Sequence, residues 1–216
     1  SHLFLEEFSD DLPQVMERAR QAGVSRIYMP NIDSTTIEPM LSVCDTYRDF
    51  CFPMIGLHPT SVNESYEKEL EIVAANLETS GRFVAVGEIG IDLYWDKTWL
   101  KEQLIAFEKQ VQWALHYQLP IVIHCREAFD YIYKVLQPYK NSGLTGIFHS
   151  FTGTPGEAAR MMEFPGFKIG INGVVTFKKS TLPETLKSVP LERIVLETDS
   201  PYLLSLIHIS EPTRPR

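Results

Sequence analysis

Short apolar runs and amphipathic helical segments alternate along the chain at a steady pace. The runs are V-S-R-I-Y-M-P-N (24–31), F-C-F-P-M-I-G-L-H (50–58), F-V-A-V-G-E-I-G (83–90), L-P-I-V-I-H-C (119–125), G-I-F-H-S-F (146–151), F-K-I-G-I-N (167–172) and R-I-V-L-E-T-D (193–199). They are rich in β-branched residues and continuously apolar, as expected of strands covered on both faces in a parallel sheet. Helices are predicted near 11–22, 36–47, 65–79, 98–117, 128–139, 155–163 and 181–188. The longest of these sets Leu100, Leu104, Phe107, Val111 and Leu115 on one stripe, the spacing of a helix with a buried face. Regular spacing without a linker or low-complexity stretch predicts one α/β domain over residues 1–203.

A doubly wound sheet and a closed barrel both satisfy this alternation. The polar residues favour the barrel. In an open sheet ligands gather at a switch point fed by a few strands, whereas here most runs close on an imidazole or a carboxylate: His58, Glu88, His124, His149 and Asp199. His2 stands at the start of the chain, where it would close a first strand whose body is absent and complete a set of eight. The expected fold is a (β/α)8 TIM barrel of the metal-dependent hydrolase type, with an incomplete first strand and a missing last helix. Leu204 to Arg214 matches the conceptual translation of a sequencing-library transposon end, so residues 204–216 are expected to be a non-native tail and His208 is not counted as a ligand.

Composition narrows the chemistry only a little. A net charge of −8 argues against nonspecific coating of nucleic acid, which needs a broad basic surface. It leaves room for phosphodiester chemistry at a divalent metal centre, whose acidic ligands inflate the formal negative count. No run reaches the roughly 18 apolar residues of a membrane span, and the start S-H-L-F-L-E-E-F lacks a basic leader. Cys44, Cys51 and Cys125 are odd in number and lack metal-site spacing, which suggests a reducing compartment. A cytoplasmic monomer away from membranes is the expectation.

A hydrolytic two-metal site needs a carboxylate that bridges both ions, imidazoles to complete each shell, and open positions for water and substrate. Glu88 suits the bridge, because Gly87 and Gly90 let the backbone approach closely; a buried salt bridge is its structural alternative. His124 and His149 end consecutive strands, which a barrel makes neighbours. Asp199 lies before Ser200-Pro201 and could serve as a ligand, as acceptor of the water's proton, or as a helix N-cap. His58, in G-L-H-P, could be a ligand, a phosphate contact or a turn former; a substrate or leaving-group role is favoured, since the other residues fill two shells. Arg126 is placed for an anionic group or a surface ion pair. Tyr94, Trp95 and Trp99 could stack a base or pack on the barrel rim. His116 reads as structural, and Cys125 lacks a nearby base and so is not assigned as a nucleophile.

Taken in order, G-L-H-P, G-E-I-G-I-D, I-H-C-R, H-S-F-T-G and E-T-D-S-P resemble the signature set of the TatD-like metal-dependent deoxyribonucleases, which belong to the amidohydrolase-type TIM barrels. The resemblance runs from His2 to about Leu203. Family members open with D-x-H-x-H, and only its second histidine, His2 in S-H-L, is present here. The resemblance implies two divalent ions (Mg²⁺, Mn²⁺ or Zn²⁺). His2 and Asp199 would hold one, His124 and His149 the other, with Glu88 bridging and His58 and Arg126 near the substrate phosphate. It implies hydrolysis of DNA, often from the 3′ end of a single strand, with RNA as a further substrate. With Glu88, Asp199 and His58 in catalytic roles and Tyr94 against the substrate, these residues make up the expected site. The rival chemistry on the same barrel is hydrolysis of a small amide, lactone or phosphotriester; no lysine suited to carbamylation closes the 83–90 run.

Overall fold

The computed structural model describes residues 1–203; the tail 204–216, with His208, lies outside the described residues. Seven strands follow the seven apolar runs: β1 (Ile27–Pro30), β2 (Cys51–Met54), β3 (Val86–Asp92), β4 (Ile121–Arg126), β5 (Gly146–Phe148), β6 (Phe167–Ile171) and β7 (Ile194–Leu196). The helices are α1 (Leu12–Gln21), α2 (Ser34–Thr46), α3 (Tyr66–Ser80), α4 (Leu100–Tyr117), α5 (Phe129–Leu136), α6 (Pro155–Met161) and α7 (Leu182–Leu186). None of the described helices is long and apolar enough to cross a membrane.

All pairings are parallel, and the strands neighbour one another in chain order. β1 pairs with β2, and β3 through β7 form one continuous sheet. A single bridge, Ile55 to Val86, joins the two. An order that never reverses provides no switch point of the doubly wound kind. It is the order of a TIM barrel, in which each strand lies beside the next. The chain start lies beside the stretch after β7: the His2 N–H donates to the Ser200 carbonyl at 2.9 Å, and the Ser1 hydroxyl reaches the Thr198 carbonyl. That is where the first and last strands of a barrel meet. The element order among the described residues ends at β7, and Leu196 on it is 86% exposed.

The core follows from the continuous apolarity of the runs. Ile89, Ile91, Ile121, Ile123, Phe148, Phe167 and Ile169 from four neighbouring strands are buried together with Phe107 and Val111 of α4. Each such side chain contributes roughly 1.5–3 kcal/mol on leaving water. The helices start where the sequence supplies caps. Asp33 and Thr36 form a reciprocal capping box for α2, as do Thr154 and Glu157 for α6, which satisfies N–H groups that a helix start leaves open. At the other end of α3, Gly81 at φ 57° turns the chain out of the helix.

Candidate metal centre

β3 is buried along its whole length. Its pairing with β4 slips at Glu88: Gly87 faces Val122, while Ile89 already faces Ile123. The extra residue is a bulge, a device that re-aims a side chain at a sheet position. Gly90, at φ 148°, faces His124, and a Cβ there would overlap the His124 carbonyl. The close approach of β3 to β4 at the candidate ligand therefore depends on that glycine.

Glu88 is the hub. Its Oε1 lies 3.2 Å from His124 Nδ1, 3.7 Å from His58 Nε2 and 3.7 Å from His149 Nε2. Asp199 Oδ1 lies 3.4 Å from both His2 Nε2 and His149 Nε2. Two groups of potential ligand atoms are compact enough for a cation: His2, Glu88 and Asp199, and His58, Glu88 and His124. Glu88 belongs to both. The first group coincides with the trio expected for one ion. The second differs from expectation by one histidine: His58 stands beside His124, and His149 sits between Glu88 and Asp199.

Two carboxylates that were not picked out from the sequence stand behind two of these imidazoles. His124 Nε2 donates to Asp92 Oδ2 at 2.7 Å, and His149 Nδ1 donates to Glu197 Oε2 at 2.8 Å. In each ring the remaining nitrogen is turned to Glu88. Such carboxylate–histidine pairs orient metal ligands and raise their basicity. A strand-period signal was available for Glu197, two residues before Asp199, and for Asp92, four after Glu88. Glu197 fits because Gly170 of β6 has no side chain: a Cβ there would meet its carboxylate. Buried glutamines of α4 hold the strand ends. Gln103 bonds both the N–H and the carbonyl of Asp92, and Gln110 does the same for Leu57, beside His58.

Protonation follows from this packing. Burial alone would raise the Glu88 carboxyl, but His149, with hydrogen bonds from His124 and His58, holds it well below the usual carboxylate range. Burial opposes the charge on His124, yet Asp92 and Glu88 outweigh it and push the imidazole up to about 9. His149 is raised well above its ordinary value against its burial, by Glu88, Asp199 and Glu197. Asp199 would also rise by burial, but His149 and His2 bring it below the usual range. Burial moves His58 the other way, downward, against Glu88.

The donor set fits a divalent ion. Of the described buried polar side-chain atoms without a hydrogen-bond partner, two meet in this cluster: His149 Nε2 and Asp199 Oδ1. Unsatisfied buried atoms are costly unless something else meets them, and here an imidazole nitrogen and a carboxylate oxygen converge without satisfying each other. His58 stands apart in its ring chemistry. Its Nδ1 accepts the Thr60 N–H at 3.2 Å, which places the ring proton on Nε2, facing Glu88.

Comparison with known proteins decides the family. The model of the "TatD related DNase" family matches residues 1–216. The chain belongs to the TatD-related DNase family. It is 35% identical over 204 residues to the uncharacterized metal-dependent hydrolase YabD of Bacillus subtilis (strain 168), covering 94% of this chain and 79% of that protein. It is 36% identical over 203 residues to the 3′-5′ ssDNA/RNA exonuclease TatD of Edwardsiella piscicida, covering 92% of this chain and 76% of that one. The crystal structure of YjjV, a TatD homolog from Escherichia coli K12, superposes with a TM-score of 0.87 at 29% identity, covering all of this chain and 82% of the other. This TatD-family chain is therefore an enzyme of a metal-dependent hydrolase family, with a histidine–carboxylate cluster at the strand ends of its barrel.

Two predictions arise at this cluster. Asp92→Asn and Glu197→Gln should each weaken divalent-metal affinity by about 10–100-fold, measured by titration calorimetry, with the fold intact by circular dichroism. The metal-free protein should also lose stability with rising pH. His124 is raised from 6.5 to about 9, so its contribution is fully present below pH 6.5 and is lost as the pH climbs through 9. Thermal melts in EDTA should show Tm falling across that window, and less steeply in Asp92→Asn. An equally steep fall in the variant would count against the assignment.

Proposed function

We propose that this chain is a divalent-metal-dependent exonuclease that removes nucleotides from the 3′ ends of single-stranded DNA, and that RNA is a further substrate. The observation that carries the reading is the position of Glu88, which alone belongs to both cation-sized ligand groups. In this assignment His2, Asp199 and Glu88 hold one ion, with His149 Nε2 turned to the same side, and His124 with Glu88 provides the core of a second. Bound there, such ions would activate a water and offset charge on phosphoryl oxygens.

The protein's own groups then divide the remaining work. Asp199 is ionised at neutral pH and accepts the proton of the attacking water. His58, whose Nε2 carries the ring proton, donates to a phosphate or leaving-group oxygen. Arg126, at the end of β4 two residues beyond His124, supplies positive charge for the substrate backbone. Tyr94 lies under the Arg126 guanidinium at 3.7 Å and fixes its plane. Beside His149 a cavity of about 380 Å³, lined by Cys125, Phe129, Phe148 and Phe151 among others, leaves room for a substrate group. The three cysteines are free, which supports a reducing compartment such as the cytoplasm.

The test is 3′ shortening of 5′-labelled single-stranded DNA with Mg²⁺, Mn²⁺ or EDTA, run beside amide, lactone and phosphotriester substrates. Stepwise shortening that EDTA stops supports the proposal. Hydrolysis of a lactone or amide with DNA left intact would replace it by the rival chemistry.

A further inference from the structure

Of the three aromatic residues in the loop and turn after β3, only Trp99 is taken up by packing, against a cluster of Leu57, Val62, Leu70 and Ala106. The other two are left in water. Trp95 is 76% exposed and Tyr94 49%. Their rings meet edge to face, with centroids 4.8 Å apart. The Arg126 guanidinium lies over Tyr94 and 5.7 Å from the Trp95 centroid. A cation stacked over an aromatic pair is already ordered, so a planar ligand arriving there meets a preformed surface.

This surface is tied to the metal centre by one side chain. Asp92 Oδ1 accepts the Tyr94 N–H at 2.9 Å, while Asp92 Oδ2 accepts from His124 at 2.7 Å. From Asp92 to Tyr94 the backbone spans two residues, at most about 7 Å. Whatever stacks on Trp95 is thus within a nucleotide or two of the reacting phosphate.

We propose that Trp95, buttressed by Tyr94 and Arg126, is a stacking platform for an unpaired base next to the scissile phosphate, and that it biases the enzyme toward single strands. The inference rests on the nuclease reading above. Every base has an aromatic face, so stacking of this kind tolerates any sequence. A base inside a duplex has both faces covered by its neighbours and cannot offer one to Trp95. The adjacent Arg126 guanidinium can meet the backbone phosphate of the stacked nucleotide through its N–H edges.

The experiment is a coupling cycle between enzyme and substrate. Single-stranded oligonucleotides carry an abasic residue at each of the three nucleotides around the scissile bond in turn. They are hydrolysed by the wild-type chain, Trp95→Ala and Trp95→Phe. At one position the wild type should lose about tenfold in kcat/KM on removal of the base, in the range expected of one base–aromatic stack. Trp95→Ala should show the same tenfold loss on the intact strand and no further loss on the abasic one, while Trp95→Phe recovers most of the effect. An equal abasic loss in wild type and Trp95→Ala, or none in the wild type, overturns the platform while leaving the nuclease reading intact. Failure of the wild type to release any nucleotide with metal present sinks the nuclease reading and the platform with it. That outcome is visible before any substitution is compared.

Discussion

Glu88→Ala should remove metal-dependent hydrolysis, with a fall of about 10³-fold or more, beyond the 10–100-fold typical of a residue that only supports a ligand. The expectation follows from placement. Glu88 is 3% exposed, sits at the β3 bulge, and is shared by both candidate ligand groups. Removing it would deprive both proposed ions at once, and would leave three imidazoles without the carboxylate they face. Glu88→Gln should fail almost as completely, because it keeps the volume and loses the charge. Metal content measured on protein dialysed against Mn²⁺ should fall in step with the rate. Retention of full metal content with lost activity would move Glu88 from ligand to proton carrier.

Asp199→Asn should be the next most damaging change, lowering kcat by about 10²–10⁴-fold, the range of a general base. Two proposed roles meet in this residue. Its carboxylate faces His2 and His149 at 3.4 Å, and the charge those rings favour keeps it ionised despite burial. Asparagine preserves the shape and cannot take a proton. Single-turnover hydrolysis at saturating metal separates the roles: a ligand-only residue is rescued by raising Mn²⁺, a proton acceptor is not. Rescue to within about threefold of wild type would assign Asp199 to the metal alone.

The fold was visible in the chain because parallel strands buried on both faces must be continuously apolar, and each of the seven runs overlaps one of the seven strands, with β3 running two residues and β4 one residue past its run. The sequential strand order separates the barrel from the doubly wound sheet, between which strand-end chemistry alone expressed only a preference. The site was visible in outline for a related reason, since an imidazole or carboxylate that closes a buried run is costly there unless an ion or a partner meets it. What the sequence hid was pairing. Asp92 and Glu197 look like ordinary strand-end acids until β3 and β4, or β5 and β7, are brought together, because the partners are 32 and 48 residues apart. The tautomer of His58 depends on the Thr60 N–H, a local turn contact that no periodicity reports. The glutamines of α4 belong to the same class. Gln103 and Gln110 lie among apolar positions and would pass for surface residues, but each bonds a strand-end peptide group that would otherwise be buried unpaired.

The most direct test of the Glu88-centred metal site is an anomalous diffraction map from crystals grown with Mn²⁺. The predicted result is density touching Glu88 on two sides, one peak shared with His2 and Asp199 and one with His124, about 3.5–4 Å apart as in two-metal hydrolases. Absence of any peak beside Glu88 in crystals of protein that hydrolyses DNA with Mn²⁺ would contradict that site.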